Sequence, residues 1–418
     1  MNKIFLKWVS ILLVILSLTA CGVRSGDGFT TVTLSGWQSF PAEKELVAQL
    51  LKNFEFTHPN IKVKYEIISD QYMDVIKTRL IGDAAPDVFY LDAFEAPLLM
   101  DHGVLEPLDN YITTEFNFAD FEQSLLKAFK KDGKTYGLPK DFSTLVLFYN
   151  KDHFSQANLT VPPKTWKQLR EYSKKLTIDT NRDRRPERYG LGIAPELARQ
   201  YFMIKAFGGR LFDRKGNVAF ASRKSLKGLQ PIVDQYQNDR SSALPSDVGT
   251  NSGSEMFGQG KASMVLEGSW LLLYLQETFP NLEFATAEVP SLGRTKGTMA
   301  YTVAYVMNKK AKHKDAAWAL ISYLTGKEGM EAVAKMAPVL PARKSVLSEL
   351  GYDRNPLYAP FIKGASYATL WQAGENLPLV RTHFDNQFLS ALLGEQSLKS
   401  AMKKAQKAAN QEIQESRY

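Results

Sequence analysis

Two short stretches place an indole beside hydroxyl, amide and carboxylate groups: Gly36-Trp37-Gln38-Ser39 and Glu267-Gly268-Ser269-Trp270. That combination suits a polyhydroxylated ring. The apolar C–H faces of such a ring lie against flat aromatics, and its rim of hydroxyls needs convergent hydrogen-bond partners. Carboxylates suit hydroxyl donors, because charge-assisted hydrogen bonds are stronger than neutral ones. Asp92 and Asp141 are the carboxylate candidates, with Ser143 close by. Core packing is the competing role for any single tryptophan, and Trp166 and Trp318 are read that way. Trp37 and Trp270 differ because each falls at a strand-to-helix junction. For Asp92 and Asp141 the competing role is helix capping.

Familiar catalytic spacings are missing. The chain has no Gly-x-Ser-x-Gly, His-Glu-x-x-His, Cys-x-x-Cys or phosphate-loop pattern. Gly258-Gln-Gly-Lys261 lacks the phosphate-loop spacing, and Ala262 replaces the hydroxyl residue that would meet a metal. A glycosidase-type carboxylate pair stays open at this level. The five histidines are scattered, so no metal cluster is visible. Asp179, Asn181 and Asp183 put oxygens at alternate positions, as a calcium loop does. Arg184 stands where that loop needs glycine, Gly190 stands where it needs a bidentate glutamate, and Arg182 and Arg185 add like charge, although Glu187 is near. A solvated turn is the preferred reading, and no cofactor is expected.

The 418 residues suffice for two domains, and 44% apolar with 23% charged residues is ordinary for a globular chain. The net charge of +8 is spread along the sequence. A nucleic-acid binder would cluster it. At the N-terminus, Lys3 and Lys7 precede an apolar run over 11–18, then Leu18-Thr19-Ala20-Cys21. This is a secretory signal rather than a membrane span, since the run falls short of the ~18 residues needed to cross a bilayer. The last four residues resemble the lipobox of bacterial lipoproteins. That likeness implies cleavage after residue 20, lipid on Cys21 and an extracytoplasmic, membrane-anchored protein. Cys21 is the only cysteine, so an internal disulfide is ruled out. Residues 21–29 read as a tether.

The elements that must position the candidates alternate between strand and helix. Strands are expected over 31–35, 61–67 and 88–91. The helices between them start at Pro41 and after an Asp70 cap, and a short helix over 98–100 follows the third strand. Further strands are expected over 145–149, 262–266 and 303–307. Helices are expected over 166–176, over 270–278 with Ser269 as cap, over 311–324, and as one long C-terminal helix over 388–415. The pattern argues for an α/β protein with mainly parallel sheets flanked by helices. Such sheets bind ligands beyond the carboxyl ends of their strands. Trp37 and Asp92 follow two of those ends, Trp270 follows a third, and Asp141 and Ser143 lie just before the strand at 145.

Several segments resemble, in shared order, the maltose-binding-protein-like extracellular solute-binding proteins. They are Gly82-Asp-Ala-Ala-Pro-Asp-Val-Phe89, Gly103-Val-Leu-Glu-Pro-Leu108, Asp132-Gly-Lys-Thr-Tyr-Gly-Leu-Pro139, Phe148-Tyr-Asn-Lys-Asp152, Pro162-Pro-Lys-Thr-Trp166, Phe257-Gly-Gln-Gly-Lys-Ala-Ser-Met264 and Gly268-Ser-Trp270. The resemblance implies a two-lobed, type II binding-protein fold, with one lobe from 30–141 and 302–343 and the other from 142–301 and 344–418. It implies a sugar, either a di- or oligosaccharide or a sugar-polyol, held unaltered in the interlobe cleft and delivered by a monomer to the permease of an ATP-binding-cassette importer. By the same likeness Trp270 stacks on sugar, and Trp37, Gln38 and Ser39 lie at the first strand end. Asp92, Phe94 and Glu95 form a ligand loop, and Asp141 and Ser143 sit at the first crossing between lobes. Glu196, Trp371 and Arg381 complete the ligand set. Arg381 falls where the maltose binders carry a stacking residue, so maltose itself is a poor expectation. The rival expectations are a secreted carbohydrate-active enzyme and a binder of a polyamine, peptide or anion.

Overall fold

The computed structural model describes residues 28–38, 43–181, 183, 185–336 and 339–415. One sheet contains β1 (Thr30–Gly36), β2 (Ile61–Ile67), β3 (Val88–Asp92), β6 (Gly137–Thr144), β12 (Met299–Met307) and β13 (Leu340–Pro341), in the order β13-β6-β12-β3-β1-β2. A further strand, β14 (Thr369–Leu370), pairs with the start of β12. The second sheet has the order β11-β7-β10-β8-β9, from β7 (Val146–Asn150), β8 (Leu191–Gly192), β9 (Ser242–Ala243), β10 (Met264–Glu267) and β11 (Phe284–Ala287). A separate hairpin joins β4 (Lys130–Lys131) to β5 (Lys134–Thr135). Each sheet anchors one lobe.

Parallel pairing holds β1 to β2 and to β3, and β8 to β9 and to β10. Antiparallel pairs enter with β12 against β3 and β6, and with β7 against β10 and β11. Residues 88–91 of β3 are all buried, as a continuous apolar run in a sheet covered on both faces requires. The helix Glu43–Thr57 covers that sheet with Leu46, Val47, Leu50, Leu51 and Phe54, one face of a 3.6-residue period. Trp166 is buried, and Trp318 packs on Tyr111 and Phe116. Among the described residues, no helix is long and apolar enough to cross a membrane.

Three segments connect the lobes. Chain passes from β6 through Leu145 into β7, from β11 into β12, and from β14 into the helix Leu377–Leu392. The segments are tied to one another. Leu145 donates its N–H to the Met299 carbonyl (3.1 Å), and Thr298 Oγ1 donates to the Leu145 carbonyl (2.7 Å). Thr369 donates its N–H to the Thr298 carbonyl (2.8 Å).

Several local expectations are corrected. Asp141 and Ser143 lie just ahead of β7, as expected, but inside a strand of their own, β6. Pro139 argues against a central strand, since it has no N–H for the ladder, but the β6–β12 register slips between Val303 and Ala304, which pair with Asp141 and Pro139. The slip leaves Lys140 as the extra residue of a bulge. The helix Tyr72–Ile81 has no side-chain cap from Asp70 and starts after Gln71, which takes a left-handed conformation (φ 49°). The helix Trp270–Thr278 also lacks a side-chain cap from Ser269. The C-terminal run is two helices, Leu377–Leu392 and Leu398–Glu415, parted at Gly394 (φ 78°), where glycine tolerates the left-handed backbone. The helix Lys344–Glu349, expected in the second lobe, packs instead on β13 of the first sheet and buries Val346.

Candidate functional site

The carboxyl ends of β1 and β3 open into a cleft of ≈ 270 Å³ at the junction of the lobes. Trp37, Asp92, Lys140 and Asp141 line it from the first lobe, and Trp270 and Leu273 line it from the second. Ser143, Tyr301 and Thr302 form its floor near the crossings.

Trp270 is held from several sides. Its Nε1–H donates to Glu267 Oε2 at 2.9 Å, and the Arg199 guanidinium lies 5.1 Å from the ring centroid. Arg199 Nη1 also pairs with Glu267 Oε2 at 2.9 Å, so one carboxylate orients both groups. The Tyr301 ring meets the indole edge-on at 5.7 Å, and the Tyr301 hydroxyl donates to the Ala198 carbonyl at 2.7 Å. The indole folds back over Gly268. A Cβ there would stand 2.1 Å from a ring carbon, so the Gly268-Ser269-Trp270 order is a steric requirement. Trp270 keeps 39% of its surface exposed, far more than a core tryptophan such as Trp166. Ser269 donates its N–H to Ser143 Oγ at 2.8 Å, which ties the end of β10 to β6.

Trp37 is half-buried and meets Tyr72 (5.0 Å) and Tyr90 (5.3 Å) edge-on. The Tyr72 hydroxyl donates to the Ser35 carbonyl and accepts the Tyr90 N–H, both at 3.0 Å, which fixes the rings beneath the indole.

The cleft mixes charges. Lys140 pairs with Asp141 at 2.5 Å and lies over the Tyr90 ring. Burial works against the Lys140 charge, but Asp141 and Glu43 outweigh it and hold its pKa above the ordinary lysine range. Asp92 accepts the Phe94 N–H at 3.0 Å. Burial, reinforced by the negative charges of Glu95 and Asp141, pushes the Asp92 pKa up to about 6.

Thus Trp37, Asp92, Asp141, Ser143 and Trp270 come together, while other candidates do not line the cleft. Glu95 is buried and pairs with Lys77 at 2.9 Å, because it begins the helix Ala96–Asp101 on the side facing the helix Tyr72–Ile81. Gln38 is exposed beyond the lining residues. Glu196 is about half exposed and stands 3.7 Å from Arg199. Trp371 is only 4% exposed and stacks on Phe94, and Arg381 covers Phe94. Ser39 and Cys21 lie outside the described residues. In the 179–187 loop, Asn181 Oδ1 accepts the Asp183 N–H, Asp183 Oδ1 accepts the Arg185 N–H, and Glu187 accepts from Thr180. Among the described residues, no group of three or more histidine, cysteine or acidic side chains is placed to hold a metal.

Sequence reasoning missed Glu43, Lys140, Tyr301 and Arg199. Glu43 reads as an acid in the first turn of a helix, and Tyr301 as one aromatic in a strand. Lys140 next to Pro139 was the available signal for a bulge.

A polar and aromatic cleft between two lobes joined by three segments defines a two-lobed solute receptor. The chain belongs to the bacterial extracellular solute-binding protein family, whose profile matches residues 37–331. It is 24% identical over 410 residues to a mannitol-binding protein of Pseudomonas aeruginosa, covering 88% of this chain and 90% of that one. It is 23% identical over 423 residues to an arabinooligosaccharide-binding protein of Bacillus subtilis, covering 97% and 96%. Its fold matches an ABC substrate-binding protein from Listeria monocytogenes in complex with cycloalternan, with a TM-score of 0.83, 22% identity and coverage of 92% and 99%. The maltose/maltodextrin-binding domain from Bdellovibrio bacteriovorus bound to maltotriose gives 0.79, 23% identity and coverage of 92% and 100%.

Proposed function

We propose that the interlobe cleft binds a carbohydrate or sugar alcohol, and that the loaded protein delivers it unchanged to the permease of an ATP-driven importer. The convergence of two indoles with Asp92, Asp141, Ser143 and Thr302 in one cleft carries this reading. The names of the relatives, mannitol-binding and arabinooligosaccharide-binding, support it. Ligand touching both walls favours the closed arrangement of the lobes and so shifts the population toward it. In the same reading Cys21 carries lipid, and the monomer works at the outer face of the cytoplasmic membrane or in the periplasm.

A thermal-shift screen of hexoses, sugar alcohols, oligosaccharides, polyamines, peptides and anions tests it. A ligand at 100 times its Kd stabilises the folded state by about 2.7 kcal/mol, so a carbohydrate hit is expected. Stabilisation by a non-carbohydrate alone would overturn the assignment. Release of reducing ends from an oligosaccharide would mark an enzyme instead.

The raised pKa of Asp92 adds a pH dependence. Its folded-state pKa of about 6 lies above the ordinary carboxyl value of 3.8. Asp92 therefore favours the folded state at low pH, and this contribution is lost as pH rises from about 4 to about 6. Ligand hydroxyls donate to the ionised form, so affinity runs the opposite way. Binding is expected to weaken by about tenfold between neutral pH and pH 5. Calorimetry should find this loss in the wild type and a flat profile in Asp92→Asn.

A further inference from the structure

We infer that Phe94, Trp371 and Arg381 form a plug that ends the cleft beside Asp92 and limits the ligand to one or two sugar-sized units. The inference builds on the carbohydrate reading. Aromatic rings extend a sugar site only when they offer a face to the next unit, and here the rings face each other. Phe94 and Trp371 stack with centroids 6.2 Å apart and planes 21° apart. The Arg381 guanidinium lies 5.2 Å over the Phe94 ring, and Tyr201 meets Trp371 at 6.5 Å and 67°. At 4% exposure, Trp371 has no face left for a ligand.

The parts come from both lobes. Phe94 sits in the turn after β3, and Trp371 follows β14. Arg381 stands on the helix Leu377–Leu392, and Tyr201 on the helix Leu197–Ala206. Gln372 Nε2 fixes the assembly by donating to the carbonyls of Ala93 (2.7 Å) and Ala128 (2.8 Å). The plug adjoins the cleft directly, because the carboxylate of Asp92, a lining residue, accepts the Phe94 N–H. The volume agrees. At ≈ 270 Å³ the cleft falls just below the usual span of ligand sites, about 300–1,000 Å³. A longer chain entering past Asp92 meets stacked rings under a guanidinium.

Calorimetry of the full chain against glucose, mannitol, and gluco-, manno-, galacto- and arabino-oligosaccharides of two to six units tests this. The wild type should bind best at one or two units and at least about tenfold more weakly from three units on. Phe94→Ala should gain about tenfold or more for the longer ligands while its affinity for the short ones stays within about threefold. Arg381→Ala, which uncovers the Phe94 ring without removing a buried aromatic, provides the second variant if Phe94→Ala fails to fold, with the same direction of change. Wild-type affinity that holds or rises beyond two units would overturn the plug, as would folded variants without any gain for longer chains. Absence of binding by every carbohydrate in the series would overturn the carbohydrate reading, and the plug with it.

Discussion

Replacing Trp270 with alanine is expected to weaken ligand binding by about thirtyfold or more while leaving the fold nearly intact. Truncating a central aromatic anchor typically costs about 2 kcal/mol or more of binding free energy, and each 1.4 kcal/mol or so is tenfold in affinity. The indole qualifies as such an anchor because it lines the cleft and is pinned by Glu267 and Arg199. Its 39% exposure limits the loss of core packing, so the unfolding midpoint should move little. Trp270→Phe should retain part of the affinity, because a smaller flat ring still offers a face. Calorimetry on the two variants checks the claim, and an affinity unchanged in Trp270→Ala would remove the indole from the site.

The largest stability effect is expected at Arg199. Glu267 is buried, with only 3% of its side chain exposed, and Arg199 is its ion-pair partner at 2.9 Å. Removing one member of a buried pair leaves an uncompensated charge and typically costs about 3–5 kcal/mol. Arg199→Met should therefore lower the urea midpoint strongly and weaken binding as well, because the guanidinium also lies over Trp270. Adding Glu267→Gln removes the stranded charge and keeps a side-chain oxygen to accept from the indole N–H. The double variant should recover much of the stability lost in Arg199→Met. A double variant less stable than Arg199→Met would show that the pair is not what holds this corner together.

The elements that set the cleft were largely legible because their signals are local. The run at 88–91 reads as a buried strand and is one, and Asp92 follows its end as the strand-end rule requires. Trp270 stood out because glycine and serine precede it at the end of a strand. What escaped depended on distant partners. The burial of Trp371 is decided by Phe94, far away in sequence, and the pairing of Glu95 by Lys77 on another helix. Lys140 enters the cleft through a bulge whose register is set by β12. The break at Gly394 was missed because the apolar stripe continues on both sides of it, so periodicity alone reads through the turn. The family likeness carried Trp371 and Arg381 into the ligand set by position, whereas their role follows from what each side chain touches.

Hydrogen–deuterium exchange, with and without a saturating amount of the carbohydrate that stabilises the protein most, tests the central claim most directly. Protection should rise together in β6, around Lys140 to Ser143, and in the segment from Ser269 to Leu273, since these form opposing walls of the cleft. Protection confined to one of those segments, or arising away from both, would contradict a ligand held between the two lobes.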